Sequence, residues 1–255
     1  MSQSRNKLIS SRIDKYKIIS IISILTFILI WQLLVQFGII SERILPSPIQ
    51  VFLTFIDKLY NKNPDGAVLQ YNIWTSLKIA LTGLLLAIII GVPLGLLMGW
   101  YKIFDNFVRP LFEIIRPIPP IAWIPLTILW IGIGMKAKAL IIFIASFVPC
   151  LINSYTGIKS TNQTLINVAK TYGASNFTIF LKIGIPSAMP LALSGIRISL
   201  GSAWSTLVAA EMLAANAGLG YMISMGRQFG RPDIIVVGMI TIGFLGYLFS
   251  YIFSK

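Results

Sequence analysis

Residues 18–40 form a run without a single charge, and long apolar runs recur at 73–100, 139–155, 188–213 and 234–253, interrupted only by Lys78, Arg197 and Glu211. A helix of about 20 apolar residues crosses the hydrocarbon core of a bilayer. Lipid accepts only segments whose backbone polar groups are paired internally. These runs therefore predict an all-α, polytopic membrane protein. A further stretch, 109–134, carries Pro110, Pro117, Pro119, Pro120 and Pro125. Each proline removes a backbone donor, so no regular helix holds all five. Either an unwound, re-entrant entry or a kinked helix satisfies this pattern, and it brings the expected count to about six spans.

Composition agrees. The chain of 255 residues is 56% hydrophobic and 11% charged, with a mean hydropathy of +0.83, whereas soluble domains average roughly 45–50% apolar and about 25% charged. The first run follows Arg5, Lys7, Arg12, Lys15 and Lys17 and is too long for a signal peptide, so it reads as a retained anchor. Basic residues favour cytoplasmic loops. With the N-terminus inside, those five join Lys102, Arg109, Arg116, Lys159, Lys170, Lys182 and Lys255. The outer set is Arg43, Lys58, Lys62, Lys136, Lys138, Arg227 and Arg231. Twelve against seven predicts both termini in the cytoplasm. It also predicts a basic N-terminus at 1–17, an anchor at 18–40, an external loop at 41–72 with a short amphipathic helix, and a membrane core at 73–255.

The net charge of +13 is explained by basic residues flanking apolar runs rather than by a nucleic-acid platform. Histidine is absent and Cys150 is the sole cysteine, so neither a metal site nor a catalytic constellation is expected.

Two regions stand out. The first lies at about 157–187 and is more polar than its flanks. Leu165, Ala169 and Tyr172 recur at helical spacing, then Gly173-Ala174-Ser175 breaks the pattern. Phe177, Phe180, Leu181 and Gly184 resume it before Ile185-Pro186, which is expected to end the helix. Gly173 can take the left-handed conformation that ends one helix and Ser175 can cap the next, leaving apolar side chains for a partner's groove. A membrane-surface amphipathic hairpin satisfies the same pattern. The second region is the run at 188–213. There Ser194, Arg197, Gly201 and Ser205 share one helical face, with Glu211 somewhat off it. Charges in the membrane face protein or an aqueous path, so these five residues are candidates for lining a translocation path. Arg197 snorkelling to the interface, and Glu211 bonding the following loop, are the structural alternatives.

LPSP at 45–48, RPIPPIAWIPLTILWIGIG at 116–134, VAKTYGASNFTIFLKIGIPSAMP at 168–190 and GIRISLGSAWSTLVAAEM at 195–212, followed by GLGYMI, resemble the permease subunits of bacterial ATP-binding-cassette importers. The likeness is to the nitrate, sulfonate, taurine and bicarbonate branch and runs from about Leu45 to Phe253. It implies a type I importer permease fold in the cell membrane and two copies of the chain around one alternating-access path. It also implies two ATPase subunits and an extracytoplasmic substrate-binding protein as partners. ATP and Mg would be used by the ATPase and not by this chain, which lacks a Walker motif. Within that family the hairpin is the coupling element, so the resemblance assigns ATPase contact to Ala169, Tyr172, Gly173, Ala174, Ser175, Phe180 and Pro186. One departure is Asn167-Val168-Ala169, where many members carry Glu-Ala-Ala. An ion-coupled carrier or channel is the alternative function; it predicts inverted repeats, and none is evident.

Overall fold

The computed structural model describes residues 2–214 and 216–254, with side chains excepted at 2–17, 214, 253 and 254. The basic side chains of Arg5 to Lys17, together with Ala215 and Lys255, thus lie outside the described residues. Eleven helices are described: α1 Ser2–Gln36, α2 Pro48–Lys58, α3 Leu69–Trp100, α4 Lys102–Ile115, α5 Ile124–Ile131, α6 Met135–Lys159, α7 Gln163–Thr171, α8 Asn176–Ile179, α9 Ile185–Ala214, α10 Leu219–Gln228 and α11 Pro232–Ser254.

Helices α3 and α6 form the centre. The glycines of α3 meet α6 in ascending order: Gly83 against Ala139 and Ile142, Gly91 against Phe147 and Cys150, Gly95 against Leu151 and Ser154, Gly99 against Tyr155 and Ile158. The two helices therefore run parallel with their backbones close, the small-residue contact that membrane helices use in place of a hydrophobic drive. Pro93 sits inside α3 without interrupting it. Against a neighbouring face of α6, α9 runs antiparallel, and it packs on α3 as well. Gly157 faces Ala188, Gly195 faces Pro149 and Asn153, and Ser146 and Ser199 exchange hydroxyl-to-carbonyl bonds of 3.3 and 2.8 Å.

Two parallel neighbours require the chain between them to cross back. Residues 101–134 do so along α6: Phe112 packs with Leu151, Pro120 borders the cavity wall at 144–149, and Ile124 packs with Ile141. Helix α4 meets the segment Pro120–Ile131 at 86°; the break between them, 116–119, holds Pro117 and Pro119, and Pro120 opens the second segment. The proline-broken run is thus one sharply bent crossing, unwound at 116–119 as the first of the two expectations has it, and not a merely kinked helix. Five single helices are long and apolar enough to span a bilayer, and this pair makes six.

The ends of the bundle differ. At one end lie α2, the first turns of α3 and the glycine-rich loop before α10, tied by buried hydrogen bonds. Lys58 pairs with Asp65 at 2.5 Å and donates to the Ala67 carbonyl at 2.7 Å, and Asn72 donates to Asp65 at 2.7 Å. The Gly218 amide donates to Asn72, the Leu219 amide to Ser76, and Ser76 to Glu211. Thr54 of α2 donates to Asp233 of α11 at 2.8 Å. At the other end lie Trp100, the start of α4, and α7 and α8. Helix α1 joins the first end, where Trp31 packs beside the cluster built on Leu69 and Met222. Otherwise its 18–36 portion is almost wholly exposed.

The α3–α6 contact yields a prediction. A side chain at Gly95 would strike the Leu151 carbonyl and the Ser154 Cβ, while Gly243 on α11 has open space around it. Gly95→Leu should destabilise the folded protein by about 1–3 kcal/mol or more, and Gly243→Leu by far less. Thermal unfolding in detergent distinguishes them; equal midpoints would contradict the packing.

Candidate functional site

The hairpin opposite the polar network is built from local chemistry. Asn162 caps α7, accepting the Thr164 amide at 2.8 Å. At its far end Gly173 adopts φ +77°. Its amide donates to Lys170 at 2.9 Å while the Ala174 amide donates to Ala169 at 3.0 Å. This is the paired closure of a helix by a left-handed glycine. Ser175 then caps α8 by accepting the Thr178 amide at 3.2 Å. One helix thus ends and another begins within three residues.

The hairpin is fixed to the bundle through aromatic rings. Trp100, last residue of α3, donates its indole N–H to Asn176 at 3.2 Å. The Phe180 ring lies 5.6 Å from both Trp100 and Tyr101, and Ile158 and Ala188 complete the cluster. Phe180 is 6% exposed. The expectation that it stands among the outward apolar side chains is therefore corrected. The outward set is Leu165, Val168, Tyr172, Phe177 and Leu181, with Tyr172 at 87%.

The structure also overturns the expected helix end at Pro186. Residues Phe180–Gly184 form a π-helical turn in which the Ile185 amide donates to the Phe180 carbonyl. That wider turn accommodates a residue lacking an N–H. The chain then continues as one helical span, Asn176–Leu213. Phe180 and Gly184, at the two ends of this turn, both lie against Trp100. Ala169 and Ala174 are half-buried, while Gly173, Ser175 and Pro186 are exposed. No acidic residue occurs between 157 and 187, whereas Lys159, Lys170 and Lys182 do.

On α9, Ser194, Arg197, Gly201 and Ser205 share one exposed face. A cavity of about 420 Å³ opens there between α9 and α11, bordered by Arg197, Gly201, Trp204, Ser205 and Phe249. Arg197 stands between Gly195, which faces Pro149 and Asn153, and Ser199, which faces Ser146 and Cys150. It is therefore level with the middle of the 25-residue α6. Arg197 has no ion-pair partner among the described residues. Glu211 is set apart from that face. It is 0% exposed and accepts from Ser76 at 2.8 Å and from the Gly220 amide at 2.9 Å. Its carboxylate holds the following loop, as the structural alternative expects.

Sequence reasoning passed over Trp100, Asn72 and Ser76. Their partners lie 76, 146 and 135 positions away respectively, beyond the reach of any local pattern. Trp100 yields a second prediction. Trp100→Ala should raise hydrogen exchange at the amides of 176–184, whereas Tyr172→Ala should leave them protected. Equal exchange would contradict the anchoring.

Residues 91–255 match the family described as binding-protein-dependent transport system inner membrane component. Among curated proteins, a probable ABC transporter permease protein of Brucella melitensis is 39% identical over 85% of this chain and 85% of its own length. The taurine transport system permease protein of Escherichia coli is 34% identical over 90% of this chain and 84% of its own. The nitrate import permease protein of Leptolyngbya laminosa is 31% identical over 87% and 79%. Among solved structures, the inward-facing MetNI methionine ABC transporter aligns with a TM-score of 0.60 at 20% identity, covering 72% of this chain and 91% of that one. This likeness shows the fold: five to six apolar spans in the type I ABC importer permease arrangement.

Proposed function

Because this chain belongs to the binding-protein-dependent transport system inner membrane components, we propose that it is the permease half of an ABC importer for a small anion, driven through its Gly173 hairpin by a separate ATPase. The observation that carries the reading is the pairing of two features on one rigid bundle. An outward apolar knuckle lies at one end, and an arginine with no ion-pair partner among the described residues lines a cavity near the middle. Relatives whose names specify taurine, aliphatic sulfonates and nitrate support an anionic solute, and Arg197 supplies a charge complementary to all three.

Two copies of the chain would frame one path between their α9 faces, supplied by an extracytoplasmic binding protein. Two ATPase subunits would consume ATP with Mg. Leu165, Val168, Tyr172, Phe177 and Leu181 would fill the ATPase cleft around the turn of Ala169, Gly173, Ala174 and Ser175, with Pro186 at its exposed edge. Phe180 would pass the resulting movement to Trp100 and thus to α3. With Asn167 in place of an acid, this contact would rest on apolar fit and the lysines. The charge bias supports cytoplasmic placement of the hairpin and both termini. Lys58 and Lys138, counted on the outer side, are buried, which leaves fewer basic residues on that surface than their number implies.

Gly173→Val is the direct test. A β-branched residue in the left-handed region is strained by about 1–2 kcal/mol and should reshape the turn. In proteoliposomes carrying the assembled importer, uptake per ATP hydrolysed should fall at least several-fold while membrane insertion is retained. Wild-type coupling in that variant would count against docking through the hairpin. Arg197→Gln should separately lower the uptake of nitrate or taurine, and an unchanged rate and affinity would return Arg197 to a structural role.

A further inference from the structure

The bend in the third crossing sets another charged side chain level with the middle of α6. Arg116 closes α4, its amide donating to the Phe112 carbonyl at 2.8 Å. With Pro120, Pro149, Gly201, Ser202 and Ser205 it lines a cavity of about 520 Å³. Residues 144–149 of that wall are the middle of the 25-residue α6, so the cavity lies at the depth of Arg197. Gly201 and Ser205 also border the cavity that holds Arg197. Two guanidinium groups therefore flank a single strip of α9.

The local partner of Arg116 does not account for its position. Its nearest carboxylate is Glu113, one helical turn back at 3.9 Å, and both side chains are about half exposed. A pair of that kind contributes little, while a charge at this depth is costly. The surrounding wall suits an anion. Ser202, Ser205 and Thr206 bring hydroxyls, and Gly201 leaves the backbone open, with nothing within 4 Å of where a Cβ would stand. A guanidinium offers five donors in a planar fork, matched to the oxygens of a nitrate, carboxylate or sulfonate. Broken helices at the bilayer midplane are where transporters hold their solutes.

We propose that Arg116 is a second anion-contacting residue of the translocation path, facing Arg197 across the Gly201–Ser205 strip. The inference rests on the anion-permease reading above and extends it to a site with two cationic walls. Neither arginine alone makes this arrangement, because a solute moving along α9 meets one after the other.

The test requires no knowledge of the natural solute. Cys150 is fully buried, so Ser205→Cys introduces the one reactive thiol in the path. In the assembled importer, the rate of labelling by a methanethiosulfonate bearing a sulfonate is divided by that of one bearing a trimethylammonium. With Arg116 and Arg197 intact the ratio should exceed one. Arg116→Gln should lower it about tenfold, the scale on which a nearby charge in a cleft alters local ion concentration. Arg116→Lys should keep most of it, and Glu113→Gln should leave it unchanged or raise it. An unchanged ratio in Arg116→Gln overturns the proposal. So does an equal fall in Glu113→Gln, which would make Arg116 a support for α4. A ratio at or below one with both arginines present, or no labelling at all, defeats the anion-path reading itself.

Discussion

The close parallel contact of α3 with α6 is the constraint from which the rest of the architecture follows. Four glycines of α3 place its backbone against α6, and parallel neighbours force the intervening chain to recross the bundle. That crossing is made by two helical segments meeting at 86° across a break that holds Pro117 and Pro119, because prolines so placed withhold the backbone donors a continuous helix would need. The break is tolerated because it borders α6 and a cavity and not lipid alone. Were α3 held further away, the cavity beside α9 and the alignment of Trp100 with the hairpin would both be lost.

The same bundle separates two kinds of chemistry. At one end a buried polar chain from Lys58 through Asp65 and Asn72 to the Gly218 amide, joined by Ser76 and Glu211, binds the loops to the helices. Every charge in it has a hydrogen-bonded partner, as burial demands. At the other end a mostly apolar cluster around Phe180 joins a solvent-facing knuckle to α3. Between them lies the α9 face, whose Arg197 has no ion-pair partner among the described residues. Rigid ends and an unsatisfied middle are what a machine needs if force is applied at one place and solute passes at another.

Much of this was legible in the residues. The apolar runs specified the spans. Gly173 followed by Ser175 specified a helix end and a new cap, since each depends on neighbours within five positions. The π-turn was not legible. Spacing at 3.6 residues placed Phe177, Phe180 and Leu181 on one face, whereas only the fold reveals that Trp100 and Tyr101, distant in sequence, cover Phe180 while Phe177 and Leu181 remain exposed. The role of Glu211 was open for a related reason. A carboxylate in a membrane helix indicates that it needs a partner, whereas only the fold reveals Ser76, 135 positions away, as that partner. Five prolines specified a break, but the direction of the chain after it came from the order of contacts along α6.

The central claim is that the hairpin moves with the bundle it is anchored to, driven from outside the chain. Spin labels placed at Tyr172, which is 87% exposed, in both copies of the assembled importer would report the separation of the two knuckles. The account predicts that this distance shortens when ATP is bound without hydrolysis and returns when nucleotide is removed. One distance distribution in both conditions would contradict it.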